Sequence, residues 1–152
     1  MDNYKEYEEK MKNNQKENKK YIKEFEEWLK KKNLTLKTIK NHVSNTELYI
    51  EDFLNYYDAS SMEEGCYRIE DFLGDWYIRK CMWSTAGNLK TTATSIKKFY
   101  QCMLELGHID QEHYDELQST IKDNMDIWIE EIEEYNDDCF NDLDFLEDLD
   151  IF

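Results

Sequence analysis

Proline is absent from all 152 residues and glycine occurs only four times, where average usage would supply about 5% and 7%. Little in the chain breaks a helix, so long uninterrupted helices are expected. No apolar run approaches the roughly 18 residues needed to span a bilayer. The charged N-terminal stretch also lacks the order of a secretory leader, a basic patch followed by an apolar run. The expectation is a soluble, cytoplasmic protein. Cys66, Cys81, Cys102 and Cys139 lie far apart with no CxxC spacing, which argues against a zinc site or redox pair. Three of the four fall within helical patterns and read as small core residues in a reducing compartment.

Basic residues are scarce in one place. The chain has 19 basic and 35 acidic residues, a net charge of −16, yet residues 108–152 hold only Lys122 against 17 carboxylates. The first 107 residues are neutral overall. A chain of this length supports one core, burying roughly 68–70% of the surface its unfolded form exposes.

Apolar residues at helical spacing divide the chain. Tyr21, Ile22, Phe25, Trp28 and Leu29 mark a first helix over 19–32. Upstream, Tyr4, Tyr7 and Met11 continue its stripe, but Asn14 and Asn18 stand where apolar residues belong, so residues 1–18 read as a helical or frayed extension. Thr35 caps a second helix along which Leu36, Val43, Ile50 and Tyr57 recur every seven residues, with Ile39, Phe53 and Leu54 on the same side. Between Ile69 and Trp83 a short helix is apolar nearly all round, as a central helix is. A fourth, from about Asn88 to Leu106, buries Ala93, Ile96, Phe99, Tyr100, Met103 and Leu104 and stops at Gly107. Asp110 caps a fifth, over 110–135, with a seam through Tyr114, Leu117, Ile121, Met125, Trp128, Ile132 and Tyr135. Residues 136–152 alternate acidic and apolar side chains, the pattern of a disordered tail or a short amphipathic helix seeking a groove.

Two polar turns each open a helix whose early turns carry Lys, Thr and Asn while its later turns are apolar. These are Leu34-Thr35-Leu36-Lys37-Thr38-Ile39 and Ser84-Thr85-Ala86-Gly87-Asn88, and small helical domains present polar side chains to DNA in this way. Together with Phe25-Glu26-Glu27-Trp28-Leu29, Ser95-Ile96-Lys97-Lys98-Phe99-Tyr100-Gln101-Cys102-Met103-Leu104 and the turn Gly107-His108-Ile109, the order of helices resembles the N-terminal SAM-like, core-binding domain of tyrosine recombinases and phage-type integrases. The resemblance covers residues 19–110. It implies an all-α, orthogonal four-helix bundle over residues 19–109, here extended by an acidic helix and tail. It also implies that the starts of the second and fourth helices clamp duplex DNA. Carried over residue by residue, the contacts would be Thr35, Lys37, Thr38, Lys40 and Asn41, with Lys90, Thr91, Thr94, Lys97 and Lys98. Lys30, Lys31 and Lys32 would sit beside them, although they also complement the dipole at a helix C-terminus. Lys and Thr donate to phosphate oxygens, and Asn41 could pair with an adenine edge.

Departures from that family are Asn88 where Thr is frequent, His42 where Tyr is usual, and the absence of its catalytic half. With only Arg68 and Arg79, strand cleavage by this chain is not expected. No nucleophile and base pair, Gly-rich phosphate loop or metal spacing stands out, so no enzyme activity, cofactor or metal is expected. His42, His108 and His113 read as surface residues. The function implied is a non-catalytic DNA-binding module, acting alone or assisting a recombinase of a mobile element. The alternative is an acidic interaction module in which Phe140, Leu143, Phe145, Leu146, Leu149 and Phe152 anchor on a basic partner.

Overall fold

The computed structural model describes the backbone of residues 2–56, 58–80 and 84–150 and the side chains of residues 3–56, 58–80 and 84–137. Within them the fold is an all-helical bundle with no strand. None of its helices is long and apolar enough to cross a membrane.

Helix α1 runs unbroken over Asp2–Lys30, the helical rather than the frayed alternative for the described residues before 19. Asn14 and Asn18 are buried rather than misplaced. Asn14 Nδ2 lies 2.8 Å from Ala59 O, 3.1 Å from Ser60 O and 3.2 Å from Asn55 Oδ1, and Asn18 Nδ2 lies 3.2 Å from Ile50 O. The Tyr7 hydroxyl donates to Asn55 O. Polar side chains are needed here because α1 packs along the end of the next helix, where carbonyls lose their intrahelical donors.

That helix opens as α2 (Leu36–Glu47), passes through a π-helical stretch (Leu48–Phe53) and finishes as α3 (Leu54–Tyr56). Thr35 Oγ1 accepts the Thr38 N–H at 3.2 Å, the expected cap. Ile39, His42, Val43, Thr46, Ile50 and Phe53 face inward. Leu36 does not: it lies at the edge of this arc, in the first turn, and is 71% exposed. Tyr57, placed on the same stripe by its spacing, lies outside the described residues.

Ser61 and Glu64 cap each other reciprocally, Glu64 N–H to Ser61 Oγ at 3.2 Å and Ser61 N–H to Glu64 Oε1 at 3.3 Å, the capping-box arrangement. They open a 3-10 turn (Glu64–Tyr67), after which α4 (Ile69–Asp71), a second π-helical stretch (Phe72–Trp76) and α5 (Tyr77–Lys80) form the central helical segment. The two π-helical stretches meet through aromatic rings: Tyr49 and Phe72 centroids lie 4.8 Å apart, Phe53 and Phe72 5.2 Å, and Phe53 and Trp76 5.7 Å. Such ring pairs add roughly 0.5–1.5 kcal/mol each beyond area burial.

Helix α6 (Ala86–Glu105) is capped by Thr85, whose Oγ1 accepts the Asn88 N–H at 3.0 Å. It ends where Gly107 turns left-handed at φ +82 and the His108 N–H reaches Met103 O at 2.9 Å. The stop is the one expected of that glycine. Helix α7 then follows Asp110, whose Oδ1 accepts the His113 N–H at 3.0 Å. It covers Gln111–Asp150 as one 40-residue helix, about 60 Å long at 1.5 Å per residue. The backbone stays helical past residue 136 as far as Asp150, the helical alternative for that stretch. On its inner face Leu117, Ile121, Trp128 and Ile132 are buried, while Tyr135 is exposed.

Candidate nucleic-acid interface

Helices α2 and α6 lie side by side, joined by a buried polar contact. Ser95 Oγ, on α6, sits 2.7 Å from His42 Nδ1 and 3.1 Å from Asn45 Nδ2, both on α2. The serine also donates to Thr91 O at 3.1 Å. Since a hydroxyl carries one proton, it accepts from Asn45 and from the Nδ1–H of a neutral His42. Burial, followed by the nearby Lys98 ammonium, pushes the imidazole pKa below its ordinary value. His42 is therefore a core residue, not a surface one. It is buried because the smaller polar side chain opposite supplies its partner.

Above this contact a groove of about 260 Å³ is lined by Asn41, Ser44, Asn45, Tyr77, Asn88, Thr91 and Thr92. The start of α6 thus faces the middle of α2, not its start. Asn45 lies ten residues past the Thr35 cap, about 15 Å along the helix. Thr35 is spent on its own helix, capping Thr38 and donating to Thr38 Oγ1 at 2.9 Å. Thr91 and Thr94 donate back to Gly87 O and Lys90 O, each at 3.0 Å. Of the four threonines, Thr38 keeps its proton without an acceptor among the described residues.

Helical periodicity sorts the lysines. Lys37, Thr38, Asn41 and Asn45 share the flank of α2 that borders the groove, and Thr91, Ser95 and Lys98 share the corresponding flank of α6. Lys40 lies on the opposite flank of α2, while Lys90 and Thr94 stand on the outer ridge of α6. Lys37, Lys40, Lys90 and Lys98 take part in no ion pair among the described residues. Lys97 turns away and lines a cleft against α7 with Asp115, Gln118, Ser119 and Lys122.

Lys30, Lys31 and Lys32 are not beside the groove. Lys30 pairs with Glu27 at 3.5 Å, and Lys32 Nζ stands 4.3 Å from the centre of the Trp28 ring. The Trp28 indole in turn donates to Glu105, the last residue of α6. Fourteen residues, about 21 Å of helix, separate Glu105 from Thr91.

The groove has electrically unlike ends. Past Ser44 and Asn45 it adjoins a cleft bearing Glu47, Glu51 and Asp52. All three carboxyls have pKa values raised by burial; Glu26 and Asp52 raise Glu47 further, and Glu47 and Asp52 raise Glu51. At the other end stand Lys37 and Lys98. Among the described residues helix α7 packs chiefly on α6, on α4 and α5 and on the helical turns around them.

Ser44, Asn45, Tyr77, Asn88 and Thr92 line the groove and were not among the residues expected to contact DNA. The i, i+4 spacing of Asn41 and Asn45 on an otherwise apolar-periodic helix was the available signal. His108 Nε2 lies 2.8 Å from Glu24, and His113 bridges Glu63, at 3.1 Å, and Asp110; both are partly buried, contrary to a surface role. Phe140, Leu143, Phe145, Leu146 and Leu149 have side chains outside the described residues, as does all of Phe152.

Comparison of the chain with protein-family models, with curated proteins and with solved structures finds no match.

Proposed function

We propose that the chain is a non-catalytic DNA-binding module whose contact surface is the α2–α6 groove and its two ridges. What supports the reading is the groove itself: an amide- and hydroxyl-lined channel between two helices, flanked by the ammonium groups of Lys37 and Lys98, which have no carboxylate partner among the described residues. Asn41 offers a donor and an acceptor on one planar group, the pattern that pairs with an adenine edge. Lys37 and Lys98, with Lys90 on the outer ridge of α6, supply sequence-independent attraction to phosphates, whereas Lys40 faces away from the groove. A role beside a recombinase of a mobile element follows only from the resemblance of the helix order to core-binding domains.

Three phosphate contacts give an affinity whose logarithm falls with log salt at a slope of about −3. Fluorescence anisotropy with a labelled duplex, titrated between 50 and 200 mM salt, measures that slope. Replacing Lys37 or Lys98 with Ala should reduce its magnitude by about one. Asn41→Ala should weaken binding without changing it. No binding at 50 mM salt, or binding unaltered by these substitutions, would reject the groove as the contact surface.

A further inference from the structure

A second cleft lies at the other end of α6, formed with the end of α1. It encloses about 470 Å³ and is lined by Lys23, Glu24, Glu27, Trp28, Lys31 and Leu106. Leu106 is 48% exposed, and the indole face of Trp28 is shared with Lys32. The carboxylates around the cleft are engaged: Glu24 with His108, Glu27 with Lys30, and Glu105 with the Trp28 indole. Lys23, Lys31 and Lys32 join no ion pair among the described residues. What the cleft offers is an aromatic and aliphatic floor under uncommitted positive charge.

The complement is present in the same sequence. Residues 137–150 read Asp-Asp-Cys-Phe-Asn-Asp-Leu-Asp-Phe-Leu-Glu-Asp-Leu-Asp, with seven carboxylates and no basic residue. They continue the backbone of α7. Within the described side chains, the last contact of α7 with the bundle is Asn136 Nδ2 to Ser84 O at 2.9 Å, near the start of α6. Helix α7 begins close in sequence to Leu106, at Gln111, packs along the bundle, and has travelled about 38 Å by Asn136. Its helical continuation carries the acidic stretch farther from that cleft, so a molecule cannot fill its own. Pairing of two acidic stretches with each other is opposed by charge of one sign.

We propose that residues 137–150 of one copy dock in the Trp28–Leu106 cleft of another, giving a head-to-tail association. The contact is heterologous, so further copies can add at either end. It is independent of the DNA surface, which lies on the other half of α6.

Sedimentation equilibrium on the full chain tests this. At low salt the average mass should rise above 18.6 kDa with concentration, and high salt should return it there. Two full-length variants are needed: Lys23→Glu with Lys31→Glu in the cleft, and Asp142→Lys, Asp144→Lys and Asp148→Lys in the acidic stretch. Each alone should associate at least tenfold more weakly, with helical circular dichroism preserved. In a mixture the unaltered acidic stretch of the first variant meets the unaltered cleft of the second, and association between the two should be restored. A wild-type chain that stays at 18.6 kDa up to about 1 mM at low salt overturns the proposal. So does association that the cleft substitutions leave unchanged, or a mixture that fails to associate.

Discussion

The indole of Trp128, on α7, fills the space that a side chain on Gly74 would need: a Cβ there would lie 2.6 Å from its Nε1 and 3.0 Å from its Cδ1. Trp128 is only 2% exposed, so the ring has no room to retreat. Gly74→Ala should cost about 1–3 kcal/mol, the usual penalty for overpacking, and lower Tm by roughly 2–4 °C per kcal/mol. Gly87→Ala is the control. Its Cβ would meet only Thr85 Oγ1, at 3.9 Å, and restricting the unfolded chain should stabilise the fold by about 0.4–1 kcal/mol. Paired thermal melts read both signs.

Asn14 holds the turn after α3 to α1. Replacing it with Leu would match the sequence stripe yet leave Ala59 O and Ser60 O without their donor. A loss of about 1–3 kcal/mol is expected for either Asn14→Leu or Asn14→Ala. Lys12→Ala, on the exposed side of the same helix, should change stability by less than about 0.5 kcal/mol. Urea titrations give the comparison.

His42 should make the protein acid-sensitive. Its pKa is lower in the folded state than its ordinary value near 6.5, so the unfolded chain binds the proton first as pH falls. Stability is then complete above about pH 6.5 and is lost as pH drops from there toward the folded-state pKa. Glu47, Glu51 and Asp52 act in the opposite sense: their raised values mean that protonation relieves the fold at lower pH. Urea midpoints measured from pH 7.5 to 5.5 for the wild type and His42→Gln should diverge most at pH 7.5 and converge toward pH 5.5.

Cys66 and Cys102 are buried, and burial, aided by nearby carboxylates, lifts each thiol to about 12. Neither should react with iodoacetamide in the native state at pH 8, because the reactive thiolate is scarce and enclosed. Peptide mass spectrometry after brief alkylation should find both unmodified, and fully modified in 6 M guanidinium. Rapid native labelling of Cys102 would show that α1 and α6 separate readily.

Helix count, the caps at Thr35 and Asp110 and the stop at Gly107 were legible because each depends on neighbours a few residues away. The reciprocal cap of Ser61 and Glu64 is equally local, written in the sequence as an S-x-x-E spacing. Asn14, Asn18 and His42 were misjudged for the converse reason. Residue type suggested fraying or exposure, and only the carbonyls of Ile50, Ala59 and Ser60 and the hydroxyl of Ser95, 32 to 53 positions away, make their burial favourable.

The sequence by itself determined that the chain is helical and that its negative charge is concentrated beyond residue 107, since periodicity, capping and composition are written along the chain. Which polar residues share a groove was decided by tertiary packing. The pairing of α6 with the middle of α2 set Asn45 against Ser95, turned Lys97 toward α7 and left Lys30, Lys31 and Lys32 at the far end. Helical phase fixes each side chain's direction relative to its own axis, whereas the offset between two axes is fixed by the contacts that their packed faces can satisfy.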